Sequence, residues 1–192
     1  MERSITPSLT STVSSNSAPD ISFAHYALLL GVGVLLAGLH QGWDAHLSLP
    51  GHFGLIWMAG IMLTRQHSSA KWAASVAALG YVGGTAAFAG LAHHGLLQAP
   101  LYALSTAVVD VAWRLDSRRS AHLCGAALLG GLAFVLKPLA LFAFAHGISL
   151  NLTALRSGPV FPLLTHFVFG AVGAIIGTLL ARAGNTALRT RD

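Results

Sequence analysis

Residues 121–145, AHLCGAALLGGLAFVLKPLALFAFA, decide the class of this chain. Past His122 the run carries a single charged side chain, Lys137. Coiled as a helix at about 1.5 Å per residue, it is long enough to cross a hydrocarbon core of about 30 Å. It has no polar face to show to water. Working outward, apolar runs of similar character recur at Ser22–Leu39, Leu47–Leu63, Trp72–Ala92, Leu97–Trp113 and Pro159–Leu180. Loop backbone cannot face lipid with its polar groups unpaired, so helices are the economical way across. The expected fold is an all-α integral membrane protein, a bundle of about six transmembrane helices.

Composition agrees. Hydrophobic residues make up 54% of the chain and charged ones 9%, against about 25% charged in soluble domains, which excludes a water-soluble globule. The net charge of +5 does not point to nucleic acid, because the basic residues sit in short loops and at the tail. The one cysteine, Cys124, lies in an apolar run, cannot form an internal disulfide and reads as a small buried hydrophobe. Phe23–Leu39 has the length of a signal sequence, but no small-x-small cleavage site follows it, so it is kept as the first helix. Residues 1–21, rich in Ser, Thr and Pro, read as a flexible cytoplasmic tail, residues 22–183 as the six-helix domain and residues 184–192 as a basic cytoplasmic tail. Pro50 and Gly51 are expected to break the start of the second helix. Pro100 falls in the first turn of the fourth, where proline is tolerated, and Pro138 should kink the fifth.

Orientation follows from Lys and Arg. Arg3, Arg65, Lys71, Arg114, Arg118, Arg119, Arg182, Arg189 and Arg191 fall on one side of the bundle, and Arg156 alone among loop residues falls on the other. An even number of spans then puts both termini in the cytoplasm. Small residues recur at four-residue spacing, at Gly33 and Ala37, Gly80 and Gly84, and Gly173 and Gly177. That spacing lets helix backbones approach closely, either within this chain or against a second membrane protein.

Chemistry gathers at the outer side. In this topology His40, His46, His52, His93, His94 and His146 lie at or beside outer helix ends, His166 about two turns into the last helix, and Asp44 among them. Imidazoles with one carboxylate make a ligand set for nickel, cobalt, zinc or copper, so His40, Asp44, His46, His52, His93 and His94 are the candidate metal ligands. Interfacial histidines without a ligand are the plainer reading. His25, His67 and His122 belong to the inner side.

Lys137, followed by Pro138, is an ionisable group deep in a span, which marks a functional site. It suits an anionic group of a cargo, and a cation there would repel a metal ion. A structural pairing with Asp110 or a backbone carbonyl is the alternative. Asp110 itself lies one turn before Arg114 on the same helix face, where the two are expected to pair.

Six helices with inside termini, small-residue packing faces and a loaded outer rim, together with Ala99-Pro100-Leu101-Tyr102 leading to Val108-Val109-Asp110 and the Gly-rich helix from Pro162 to Arg182, resemble the S component, the substrate-binding subunit, of energy-coupling factor transporters. The resemblance covers about residues 22–183 and rests on layout. It implies a multi-pass protein of a bacterial inner membrane that binds a vitamin or metal ion near the outer face. Such a protein passes its cargo inward by toppling against a transmembrane coupling subunit driven by two ATPase subunits. It also implies a pocket in the outer loops and the outer halves of the fourth to sixth helices, around Tyr102, Lys137, His146 and His166. The cobalt and nickel members begin with a Met-His pair; this chain begins Met1-Glu2-Arg3, so that mode of metal binding is absent.

Two other functions compete with transport. A membrane redox protein or enzyme would use histidines as metal or haem ligands, with His166 facing His146 or His25. A scaffold subunit of a membrane complex would need no site at all. The chain has no nucleotide-binding motif, no zinc-protease helix, no paired His-x-x-x-His set and no serine–histidine or paired-carboxylate constellation. An enzyme is therefore not expected, and energy for transport must come from partners or a gradient.

Overall fold

The structure, a computed structural model, describes residues 22–42, 49–89, 94–148 and 158–189. These are helical, with no strand among them: α1 (Phe23–Gly42), α2 (Gly54–His67), α3 (Ala73–Ala89), α4 (His94–Leu115), the single turn α5 (Ser117–Ala121), α6 (Leu123–Ile148) and α7 (Val160–Arg189). Three of them are long and apolar enough to cross a membrane: Phe23–Gly42, Leu123–Ala143 within α6 and Val160–Ala187 within α7. Ala73–Phe88 in α3 is equally apolar but shorter. The chain thus has the make-up of an α-helical membrane protein. The tail at residues 1–21 lies outside the described residues.

Helix ends depart from the expected ones where hydropathy and helicity part company. α2 begins at Gly54 rather than Leu47, after a turn at Pro50-Gly51-His52-Phe53 in which Gly51 takes a φ of 84°. Proline has no N–H to donate and a positive φ suits glycine alone, so the helix cannot start earlier. At the other end α7 continues through Ala181–Arg189. Arg182, Asn185 and Arg189 do not end the helix, so the expected boundary at residue 183 falls inside α7. α6 passes Pro138 and α4 passes Pro100 as continuous helices.

The helices form a ring in which α1 packs on α3, α3 on α4, α4 on α6, α6 on α7 and α7 on α2. Glycine sets these approaches. A Cβ at Gly33 would run into the backbone of Ala77 and Tyr81, one at Gly80 into the Leu30 carbonyl, and one at Gly84 into Ala37 and Val34. Gly130 and Gly170 face each other across α6 and α7, while Gly173 and Gly177 lie on the backbone of α2 at Gly54, Leu55 and Ala59. All three small-residue pairs are therefore spent on packing within the chain. Where α1 meets α2 there is no such seam. A groove of about 470 Å³ opens there instead, lined chiefly by Leu28, Leu29, Val32, Leu35 and Leu63.

Several interior hydroxyls are satisfied locally. Thr64, Thr106, Ser105 and Thr178 each donate to a carbonyl three or four residues earlier, which spares a polar group exposure to lipid. Gln66 Nε2 donates to Thr178 Oγ1 at 2.8 Å and ties α2 to α7.

Gly80→Leu is expected to lower the thermal midpoint of the detergent-purified protein sharply, since backbone must move to admit the side chain, at a cost of at least about 1–3 kcal/mol. Gly83→Leu, one turn of sequence away in open space, should leave the midpoint unchanged or raise it. Tryptophan-fluorescence melts of the two variants check this.

Candidate functional site

Two clusters of polar and aromatic side chains occupy opposite ends of the ring. The first draws on the C-terminal end of α1, the turn before α2, the middle of α3, the N-terminal half of α4, the middle of α6 and the start of α7. Its members are His40, Phe53, Trp57, Tyr81, Tyr102, Phe134, Lys137 and His166. His40 lies flat on Phe53, with ring centroids 3.9 Å apart and planes 14° from parallel. Its Nδ1 shares a hydrogen bond with the Tyr81 hydroxyl. Tyr81, Trp57 and Tyr102 pack edge to face at 4.7–5.1 Å, the arrangement that ring quadrupoles favour. Trp57 Nε1 donates to Ser105 Oγ at 3.2 Å, so the indole is held from both sides. Phe134 stacks on His166 at 5.2 Å, and His166 Nδ1 is 2.7 Å from the Pro162 carbonyl oxygen. Gly51 sits directly on the His166 ring, too close to admit a Cβ.

Lys137 enters this cage from α6 with 8% of its surface exposed. Its Nζ donates to the Tyr102 hydroxyl at 2.6 Å and stands 4.1 Å from that ring's centroid. The carboxylates among the described residues are Asp110 and Asp116, both at the far end of α4. Chemically the arrangement offers one cation and a set of ring faces, which suits an anionic group next to planar or apolar atoms.

The second cluster centres on Asp110, which is fully buried. Its carboxylate accepts from the Ala74 N–H at 3.2 Å, the Ser75 N–H at 2.8 Å and the Ser75 hydroxyl at 2.7 Å. It thus caps α3, where the helix dipole welcomes negative charge. Arg65 Nε lies 3.5 Å from Asp110 Oδ1. The Arg65 guanidinium also donates to the carbonyls of Ser68 and Ala70 and covers the Trp113 ring. His25 Nε2 is 2.7 Å from Ser68 Oγ, which fastens the start of α1 to the same loop.

These contacts correct three expectations. Asp110 pairs with Arg65, not Arg114, whose guanidinium packs over the Trp72 ring at 4.6 Å. Lys137 pairs with Tyr102, not Asp110. His25 and His166 belong to opposite ends of the ring, so they do not face each other across a haem. Of the four expected cargo residues, Tyr102, Lys137 and His166 come together, while the His146 side chain lies outside the described residues. Of the six expected metal ligands, His40 is inside the aromatic cage, and His52 Nδ1 lies 2.9 Å from the Leu49 carbonyl oxygen beside it. Asp44, His46, His93 and the His94 side chain lie outside the described residues. Among the described residues no three His, Cys, Asp or Glu side chains are grouped to hold a metal ion. Sequence reasoning missed Phe53, Trp57, Tyr81 and Phe134. The aromatic pair at i and i+4, Phe53 and Trp57, was the available signal.

No protein-family model, curated protein or solved structure matches this chain.

Asp110→Ala is expected to destabilise the protein by about 3–5 kcal/mol, because it strands a buried guanidinium and uncaps α3. Arg114→Ala should cost under about 1 kcal/mol. Thermal melts in one detergent compare them, and equal losses would assign no special weight to the Arg65–Asp110 pair.

Proposed function

We propose that this chain is the substrate-binding membrane subunit of an uptake transporter of the energy-coupling factor type, and that its cargo is a small organic anion of vitamin-like size. One observation carries the reading: Lys137, a buried cation facing aromatic rings, has its hydrogen bond to a tyrosine and no ion pair among the described residues. Burying a charge in a bundle is costly and marks a binding function by default. The layout adds support. α1, α2, α3, α4, α6 and α7 serve as the six spans, with both termini cytoplasmic by the asymmetry of Lys and Arg, so the cage falls in the outer half. The chain has no nucleotide-binding motif, and uptake against a gradient then needs a coupling subunit with ATPases.

An organic cargo fits this site better than a transition-metal ion, because the Lys137 ammonium would repel a cation held by His40 or His166. Stoichiometric nickel, cobalt, zinc or copper in the purified protein, by elemental analysis, would reverse that preference.

The cargo reading is tested by releasing small molecules from the denatured, detergent-purified protein and identifying them by mass spectrometry. The native chain is expected to carry an anionic compound, Lys137→Met to lose it at least tenfold, and Lys137→Arg to retain part of it. Pull-down of the native chain should also bring an ATPase pair. Orientation has a separate test in Cys124, the sole cysteine, which is exposed at the start of α6 and not buried as its apolar run suggests. A membrane-impermeant maleimide should label it in inverted vesicles and not in intact cells. The opposite pattern would turn the bundle over.

A further inference from the structure

Phe53 is set apart from its neighbours in the cage. The other aromatic members project from helices: His40 from α1, Trp57 from α2, Tyr81 from α3, Tyr102 from α4, Phe134 from α6 and His166 from α7. Phe53 projects from the turn that precedes α2. It is the N-cap of that helix and makes no side-chain capping bond. Backbone bonds from Gly54 to Gly51 and from Leu55 to His52 shape the turn, and Gly51 supplies a left-handed residue within it. Yet the ring is 4% exposed. It lies flat against His40 at 3.9 Å, 6.3 Å from Tyr81 with the planes 27° apart, and edge-on to Tyr102 at 5.9 Å. Tyr102 is also the partner of the Lys137 ammonium. A six-membered ring therefore already lies flat on the face of His40, beside the same tyrosine that holds the cation.

Resting on the reading of the Lys137 cage as the cargo site, we propose that Phe53 is a removable occupant of the cargo's ring subsite. The cargo is then a single planar aromatic ring bearing one anionic group. Its ring displaces Phe53 from the face of His40, and its anion takes the Lys137 ammonium from the Tyr102 hydroxyl. The turn 50–53 swings out on Gly51 with the helices unmoved. A shape-filling side chain from the protein's own turn keeps the site dry and packed when no cargo is present, as close-packed interiors require. A side chain truncated from such a place leaves a cavity that accepts a free ring.

The probe is benzoate, titrated calorimetrically into the full-length protein in detergent. Native protein is expected to bind it weakly, and Phe53→Ala about tenfold more tightly. Phe134→Ala, which opens a cavity of the same kind elsewhere in the cage, should gain nothing. Cyclohexanecarboxylate, equal in charge but not planar, should gain little from Phe53→Ala. Adding Lys137→Met to Phe53→Ala should abolish benzoate binding. Phe53→Leu serves in place of Phe53→Ala if the alanine variant does not fold. An equal gain in Phe134→Ala, or for cyclohexanecarboxylate, overturns the proposal. So does Lys137-dependent binding of octanoate with no gain for benzoate on removing Phe53, in which case the anion site stands and the plug falls. Absence of carboxylate binding in every folded variant removes the cargo reading itself, and the plug with it.

Discussion

Backbone-to-backbone approach at glycine is the constraint on which the rest of this protein depends. In lipid there is little hydrophobic gain in bringing two apolar helices together, so close van der Waals contact has to supply the attraction. Gly33, Gly80 and Gly84 draw α1 onto α3, Gly130 and Gly170 close α6 on α7, and Gly173 and Gly177 seat α7 on α2. Once these seams fix the ring, side chains from six helices are brought within reach of one another at one end, and from α1 to α4 at the other. Neither cluster could form if the axes stood apart by the width of a leucine.

The two ends use cations in opposite ways. At one, Arg65 is neutralised by Asp110 and braced by two carbonyls and an indole, so that a loop and a helix start are locked together. All its partners lie within the protein, and it reads as architecture. At the other, Lys137 has a phenol and a ring face. A phenol shares a proton but brings no compensating charge. Among the described residues one cation is matched by a carboxylate and the other is not, and that difference sets the two ends of the molecule apart.

Much of the fold was legible because hydropathy reports directly on lipid, and each expected run corresponds to a helix. The misjudged ends, at Gly54 and at Arg189, lie where lipid is no longer the deciding influence: turn chemistry ends one helix and plain helix propensity extends the other. The site was legible in part. Lys137 stood out as a charge in a span, and Tyr102 and His166 joined it. Asp110 was assigned the wrong arginine because sequence spacing shows only neighbours on one helix, whereas Arg65 comes from another helix. Phe53, Trp57, Tyr81 and Phe134 were invisible as a set, since each is an ordinary aromatic in its own segment and only the ring of helices makes them a cage. The histidines show the same limit. His40 was grouped with rim residues by its place at a helix end, yet it turns inward onto Phe53.

The open seam between α1 and α2 carries a consequence of another kind. Its groove is lined by leucines of α1 and α2, with His25, His67 and Ser68 at one end. An apolar hollow of that size is filled in a bilayer by whichever tail of the solvent fits it, and that tail then behaves as a missing side chain of α1. α1, close-packed on α3 and only loosely packed on α2, then has part of its second wall made of lipid. Chain length and saturation of the surrounding amphiphile become part of the folding energy, and two detergents of equal mildness will not give equally stable protein.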